Sequence, residues 1–275
     1  DMIKQARACN IVMQEIDRMK RDSLLDNKFD FLNDDYQSTL SIIFHNCASY
    51  RSHVRNIRSD FGFTKADVIF LSECHTNPES DLKSTYLTEM PGYKLIHFTG
   101  SSQYKASNGQ ICFVKDNKIN NIEFVADNSS NKMYKKTNIL EISLFKYTQR
   151  QDMKEIYLCN VYNHPKNLLV DFYKEFKEFL RKHIKRNDFE EYELDHDVYV
   201  FGDFNINFEE SKTISEKLTK KLGLNIVNCI GKSTDYRTKI DWVITNSANQ
   251  NLYNASFYES YFSDHKPIWL KLNLM

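Results

Sequence analysis

The stretch 198–210, VYVFGDFNINFEE, begins as an apolar run of strand type and then presents Asp203 and Asn205 on either side of Phe204. The apolar run predicts a buried strand, and Gly202 marks the point where that run ends. A carboxylate and an amide at the mouth of a buried strand suit acid–base chemistry on water and hydrogen bonding to a phosphoryl oxygen.

The same arrangement, a polar side chain at the end of an apolar run, recurs at five other predicted strand ends. The residues are Asn46, Glu73, Tyr162 with Asn163, Asp241, and Asp264 with His265. A single Asn or Asp at such a place is usually a turn former. Several of them on one edge of a sheet would crowd carboxylates, which repel one another unless a divalent cation and a polyanionic substrate balance the site.

The residue types indicate how such a site would work. Glu73 and Asp264 are hard oxygen ligands of the kind that bind Mg²⁺, and Asn46 can hold a water or a phosphate oxygen without adding charge. We expect a buried Asp, for which Asp241 is the candidate, to orient His265. No activated Ser or Cys nucleophile is recognisable, so the residues favour direct attack by water.

Short strands and a few helices must position these side chains. Helices are predicted around 52–60, 81–89, 168–186 and 213–222, and their scarcity beside many strands predicts packed sheets flanked by helices. The predicted strands are 39–46, 66–73, 93–98, 109–116, 138–145, 155–162, 197–204, 224–228, 239–246 and 265–272.

Length and composition limit which classes of fold and function are possible. The chain has 275 residues, of which 41% are hydrophobic, and its 37 Lys and Arg balance its 37 Asp and Glu. It can therefore bury a sizeable core, whereas its net charge neither favours nor excludes nucleic acid. No apolar run approaches the roughly 18 residues of a membrane span. The six cysteines form no C-x-x-C pair, which predicts buried free thiols in a reducing compartment.

The motifs FHN, LSE, VYN, GDFN, KIDWVIT and SDHKP resemble, in order and approximate spacing, those of the endonuclease/exonuclease/phosphatase superfamily, which includes deoxyribonuclease I. The resemblance covers about residues 39–275. KSTDYRTKIDWVIT and YFSDHKPIWL are most similar to endonuclease domains of mobile elements, Helitron-type first and non-LTR retrotransposon second. The resemblance to the superfamily implies an α/β (α+β) fold, namely a four-layer α/β sandwich of two packed, mainly antiparallel sheets flanked by helices.

On this basis we divide the chain into an N-terminal helical extension or linker at 1–38 and one superfamily domain at 39–275. A first residue other than Met suits a domain cut from a larger polyprotein. We also expect a monomeric domain without a membrane segment, in an intracellular and specifically nuclear setting.

The resemblance implies a Mg²⁺-dependent endonuclease, with Mn²⁺ as a substitute, that nicks DNA and leaves 3′-hydroxyl and 5′-phosphate ends. In such a site the metal residues would be Asn46, Glu73 and Asp264. The residues around the scissile phosphate would be Tyr162, Asp203, Asn205, Asp241 and His265. Ala48 stands where some abasic-site enzymes carry a second carboxylate, which favours one metal ion over two.

DNA binding needs cations near the phosphates whatever the net charge. The candidates for substrate binding are Asn163, Thr234, Arg51, Lys105 and Arg237, with His53, Lys132, Lys135 and Lys136 as further loop candidates. Alternatives to a DNA endonuclease are an RNA-directed nuclease such as a deadenylase, a small-molecule phosphoesterase, and a catalytically silent nucleic-acid-binding module.

Overall fold

Two six-stranded sheets and six α-helices make up the part of the chain that the computed structural model describes. The described residues are 39–101, 108–128, 140–149, 155–184, 196–227, 229, 231–236, 238–249, 252–258, 260 and 262–274. The extension expected at 1–38 lies outside them. None of the helices within these ranges is long and apolar enough to cross a membrane.

The elements follow one another along the chain with short helices concentrated in the first half. The strands are β1 Thr39–Asn46, β2 Val68–Ser72, β3 Tyr93–Phe98, β4 Ile111–Lys115, β5 Ile122–Asp127, β6 Leu140–Thr148, β7 Glu155–Asn163, β8 Asp197–Asp203, β9 Asn225–Val227, β10 Asp241–Thr245, β11 Tyr253–Phe257 and β12 Ile268–Asn273. The helices are α1 Tyr50–Ser59, α2 Phe61–Lys65, α3 Pro78–Asp81, α4 Thr85–Thr88, α5 Leu169–His183 and α6 Lys212–Leu222.

The two sheets have the same topology. The first has the order β11-β12-β1-β2-β4-β3 and the second the order β5-β6-β7-β8-β10-β9. Each contains one parallel pair at its centre, β1 with β2 and β7 with β8, and the other pairs are antiparallel. A parallel pair needs a crossover connection. Helix α1 belongs to the connection from β1 to β2, and helix α5 to the connection from β7 to β8.

Side chains of the central strands alternate between the core that separates the sheets and an outer core beneath the helices. On β8, Tyr199 and Phe201 lie in the inter-sheet core, whereas Val198 and Val200 lie in the outer core that α5 and α6 cover. A third core packs the first sheet against α1 and α2. Three cores separate four layers, so the predicted four-layer α/β sandwich of two mainly antiparallel sheets is confirmed.

The predicted strands are all present, but two strands and one helix were missed. β5 and β11 are edge strands whose side chains are partly exposed, so neither has the apolar run that marks a buried strand. Helix α2 has only five residues. The single helix predicted at 81–89 is wrong, since the structure has two one-turn helices, α3 and α4.

The described cysteines are free and buried, as predicted. They are Cys47, Cys74, Cys112, Cys159 and Cys229, whereas Cys9 lies outside the described residues. Burial raises the pKa of the Cys112 and Cys159 thiols, which keeps them protonated, hydrophobic core residues.

Gly202 allows β8 to approach β7 closely at the point where the strand delivers Asp203. A Cβ atom at Gly202 would lie 2.6 Å from the carbonyl oxygen of Val161 and 2.9 Å from its Cβ atom. Both atoms belong to a central strand that cannot move independently, so a methyl group there must displace β8.

We therefore expect Gly202→Ala to lower the free energy of unfolding by about 1–3 kcal/mol, the usual cost of overpacking a core. Chemical denaturation of Gly202→Ala and of the wild type measures the difference, and equal stability of the two proteins would contradict the prediction.

Candidate active site

One row of polar side chains crosses four neighbouring strands of the second sheet. Glu141 on β6 is paired with Tyr162 on β7, Tyr162 with Asp203 on β8, and Asp203 with Asp241 on β10. Each of the four shares its strand face with a residue of the inter-sheet core: Glu141 lies four residues before Phe145, Tyr162 four after Leu158, Asp203 two after Phe201 and Asp241 two before Val243. Because strand side chains alternate with a period of two, the four polar residues face the first sheet at the mouth of that core.

The first sheet meets this row with a partner for each of its members. The Gly109 N–H donates to both carboxylate oxygens of Glu141, at 3.2 and 3.0 Å. The Tyr162 hydroxyl donates to Glu73 Oε1. Asn46 Nδ2 donates to Asp203 Oδ2 at 2.9 Å, and His265 Nδ1 lies 2.9 Å from Asp241 Oδ2. The mouth between the sheets is thus closed by four polar contacts in a line, here called the polar row.

Asp203, Asp241 and His265 form the most strongly charged part of the polar row. Asp203 and Asp241 are each 1% exposed, and His265 Nε2 lies 4.0 Å from Asp203 Oδ2. Burial, and next the charge of Asp241, raise the pKa of Asp203 well above its usual value. Burial alone would lower the pKa of His265, but the charge and hydrogen bond of Asp241, with the charges of Asp203 and Asp264, raise it to about 10.

His265 is therefore an imidazolium at neutral pH, and this decides how the cluster can act. One ligand atom from each of Asp203, Asp241 and His265 falls within 4.8 Å of the others, a spacing that would suit a cation. An imidazolium has no free lone pair for a metal, and its single positive charge offsets only part of the charge of the two carboxylates. We interpret the three residues as an acid–base group of net charge −1 when both carboxylates are ionised, with Nε2 on the side of Asp203.

The turn after β8 is held by a network of amides. The Asn205 N–H donates to Asp203 Oδ1 at 2.9 Å, and Asn205 Nδ2 donates to the carbonyl of Asn163 at 2.8 Å. Asn163 donates to the carbonyl of Phe204 at 2.7 Å and accepts a hydrogen bond from Asn167 at 2.8 Å. Asn163 is 2% exposed, so its contacts are those of a residue that supports the turn, whereas the sequence analysis expected it to bind substrate.

The predicted metal residues lie at neighbouring chain segments on the first sheet's side of the mouth, since Asn46 is paired in register with Ser72, which precedes Glu73. Glu73 is partly exposed, and its second carboxylate oxygen has no hydrogen-bond partner among the described residues. Asn46 Oδ1 accepts from the Ala48 N–H at 3.1 Å and keeps one lone pair. The Ser263 hydroxyl donates to the Asn46 carbonyl at 2.9 Å, which brings the neighbouring Asp264 to this end of β1. Their hard oxygen donors fit Mg²⁺.

The loops that carry these residues are strained. Ala48, Ser49, Glu73, His75 and Asn205 are the non-glycine residues with positive φ in the described part of the chain, and all follow strands that end at this mouth. Such conformations cost free energy and persist only when surrounding contacts enforce them. Hydrogen bonds from the Ser49 and Tyr50 N–H groups to the Glu73 and Cys74 carbonyls, at 2.9 and 3.0 Å, supply that enforcement.

The remaining candidates for substrate binding differ in their positions. Thr234 forms a β-bridge with His265, and its hydroxyl bonds that of Thr238 at 2.6 Å. Arg51 lies in the first turn of α1 instead of on a loop, and it is paired with Asp81 at 2.5 Å, so its charge is already balanced. Lys105 and Arg237, like Lys132, Lys135 and Lys136, lie outside the described residues.

Glu141 is a member of the polar row that sequence reasoning missed. It is 4% exposed, and burial, partly offset by the Gly109 N–H, raises its pKa to about 7. Its signal in the sequence was a lone Glu inside the apolar run NILEISLF. A charged residue in mid-strand is normally placed on a solvated face, and only the pairing with β7 shows that this one is buried.

The raised pKa of His265 predicts a specific pH dependence of stability. Its folded pKa of about 10 lies above the ordinary value of about 6.5, so the stabilisation is complete below about pH 6.5 and is lost as the pH rises through 10. We expect His265→Gln to destabilise the protein more at pH 6 than at pH 10. Denaturation in EDTA measures both differences, and a penalty that stays constant or grows with pH would contradict the assignment.

Solved structures of other proteins match this fold, whereas comparisons of sequence find no match. No protein-family model matches the chain, and no curated protein matches it in sequence. Solved structures do match. The endonuclease domain of TRAS1, a telomere-specific non-LTR retrotransposon, superposes with a TM-score of 0.60 at 16% identity, covering 86% of this chain and 99% of that chain.

Two further solved structures superpose on a similar share of this chain. AP endonuclease from Leishmania major has a TM-score of 0.61 at 13% identity, covering 88% of this chain and 90% of its own. The human Nocturnin catalytic domain, with a bound sulfate anion, has a TM-score of 0.60 at 13% identity, covering 86% and 94%. Identities this low establish the fold alone. The chain therefore has the fold that these three structures share.

Proposed function

We propose that this protein is a Mg²⁺-dependent endonuclease that hydrolyses DNA phosphodiester bonds, nicking one strand to leave a 3′-hydroxyl and a 5′-phosphate. The observation that carries the proposal is the polar row, in which Glu73 meets Tyr162, Asn46 meets Asp203 and Asp241 meets His265 at the mouth between the sheets. These groups together could hold a cation, activate water and bind a phosphoryl oxygen.

Glu73, Asp264 and Asn46 are the residues that would hold Mg²⁺. When bound, the ion would polarise the scissile phosphate and stabilise the charge that develops on the leaving oxygen. Mn²⁺ has the same preference for oxygen ligands and should substitute. The Tyr162 hydroxyl donates a hydrogen bond to Glu73 Oε1. The other carboxylate oxygen of Glu73 would then be the one that binds the cation.

Asp203 is the group best placed to take a proton from the attacking water. Burial and the charge of Asp241 raise its pKa, which makes its carboxylate a stronger base than an exposed Asp. Asn46 and the Asn205 N–H each hold one of its oxygens and so fix its direction. Attack by water agrees with the scarcity of nucleophiles here, since the nearest thiols, Cys47 and Cys74, are completely buried.

His265 would bind a non-bridging phosphoryl oxygen through its Nε2–H. Asp241 holds Nδ1 at 2.9 Å and sustains the positive charge, so the imidazolium can stabilise the additional negative charge of the transition state. A preorganised donor of this kind needs no reorientation during the reaction.

Two other activities use the same chemistry. An RNA-directed nuclease or a small-molecule phosphoesterase would need the same polar row, and the bound sulfate of the Nocturnin structure shows only that this fold accepts a tetrahedral anion. A silent nucleic-acid-binding module would not need the strained loops that surround Glu73 and Asn205, which favours an enzyme. A nuclear setting, or another reducing one, follows from a DNA substrate and from the free thiols.

The test is nicking of supercoiled plasmid with Mg²⁺. We expect relaxed circles from the wild type and none in EDTA. Asp203→Asn should be slower by roughly 100-fold to 10,000-fold, the usual contribution of an acid–base group, and Glu73→Gln should also be slower because it removes a charged oxygen ligand proposed for the metal. Glu216→Gln is the matched control, because Glu216 lies on the surface of α6, 63% exposed and paired with Lys220.

Three outcomes would count against the proposal. Intact plasmid after incubation with folded wild type would exclude DNA nicking and direct the assay to poly(A) RNA and to phosphomonoesters. Equal rates for Glu73→Gln and Glu216→Gln would show that cleavage does not use this site. Nicking activity that persists in EDTA would show that the reaction does not require a divalent metal ion.

A further inference from the structure

Tyr236 is the most exposed large apolar side chain in the described part of the chain. It is 77% exposed, compared with 68% for Leu168 and 65% for Val170, and the next most exposed aromatic side chain, Tyr86, is 44% exposed. So exposed a ring contributes little to the core of the protein, and a single exposed aromatic would need no explanation if it stood on an arbitrary surface. Its position is what makes it informative.

The turn that carries Tyr236 is fastened directly to the catalytic end of the polar row. The Ser233 and Thr234 N–H groups both donate to the Thr238 carbonyl, at 2.9 and 3.3 Å, and so close the turn. Thr234 is β-bridged to His265, and the Asp235 N–H donates to the Asp264 carbonyl at 2.8 Å. The ring therefore stands on a braced turn within two residues of a direct contact with His265.

An exposed aromatic face close in the chain to a phosphodiester site has a chemical use beyond phosphate binding. The hydroxyl group of a tyrosine can donate to a phosphate oxygen, whereas its ring offers a face on which a nucleobase stacks. In paired DNA both faces of each base are covered by their neighbours. Only a base that has lost a neighbour, in a single strand or at an unpaired position, offers a free face.

We propose that Tyr236 stacks on an unpaired nucleobase next to the scissile phosphate, so that the preferred substrate is single-stranded or locally unpaired DNA. This inference rests on the proposed function, since it takes the polar row as the place of cleavage. The hydrogen bonds of the turn hold the backbone that carries the ring close to His265 and Asp264.

Binding and cleavage of a short single-stranded oligonucleotide test the stack. We expect Tyr236→Ala to raise the Kd, measured in EDTA by quenching of a 2-aminopurine base, by roughly 5-fold to 100-fold. Tyr236→Phe should retain the affinity because the ring remains. Tyr86→Ala is the matched control, since Tyr86 lies beside Arg58, at the end of α1 away from the mouth. In cleavage, KM should rise more than kcat falls.

Removing the base separates stacking from a structural role. The Tyr236→Ala penalty should vanish on an oligonucleotide that has an abasic site at the stacked position, and wild type should prefer a mismatched or single-stranded site to a fully paired one. An equal penalty on both oligonucleotides, a penalty shared by Tyr86→Ala, or tighter binding of the matching RNA would overturn the inference. Binding is measured in EDTA, where the proposed cleavage does not occur. If the wild type does not nick plasmid, the proposed function is rejected, whereas the binding data decide whether Tyr236 stacks on an unpaired base.

Discussion

The repulsion between two buried carboxylates is the constraint to which the rest of the mouth responds. Asp203 and Asp241 are direct partners on adjacent strands, both almost fully buried, and like charges so placed are costly without compensation. The protein supplies an imidazolium, His265, at 2.9 Å from Asp241, and amide donors from Asn46 and Asn205 to Asp203. Those compensating groups come from loops on both sheets, so the charge balance itself ties the two halves of the sandwich together.

That balance has a cost in backbone conformation. The positive φ angles of Glu73 and Asn205, 48° and 50°, place their side chains where regular strands would not. Three apolar cores below the mouth provide the stability that such strain requires. A site of this kind is preorganised, because the donors already point at fixed positions before any substrate arrives.

The repeated topology of the two sheets explains why the site lies at their shared mouth. The members of the polar row come mostly from the central strands β1, β2, β7, β8 and β10, which are held by neighbours on both sides. The missed strands β5 and β11 are at the edges, where pairing with a neighbour, rather than burial of their own side chains, maintains them. The central strands therefore show a clear apolar pattern in the sequence, whereas among the edge strands β3 and β9 show one and β5 and β11 do not.

The sequence by itself determined the kind of fold and most members of the polar row. Apolar runs that end in Asn46, Glu73, Tyr162 and Asp203 are local patterns, and a period of two relates each of these side chains to the apolar residues of its own strand. Only the tertiary structure decided the pairings. Register between strands buries Glu141 and sets it opposite Tyr162, Asn163 is turned inward to support a loop, and Arg51 is neutralised by Asp81. These depend on contacts between residues far apart in the chain, and no local pattern of residue types records which distant partner a side chain will meet.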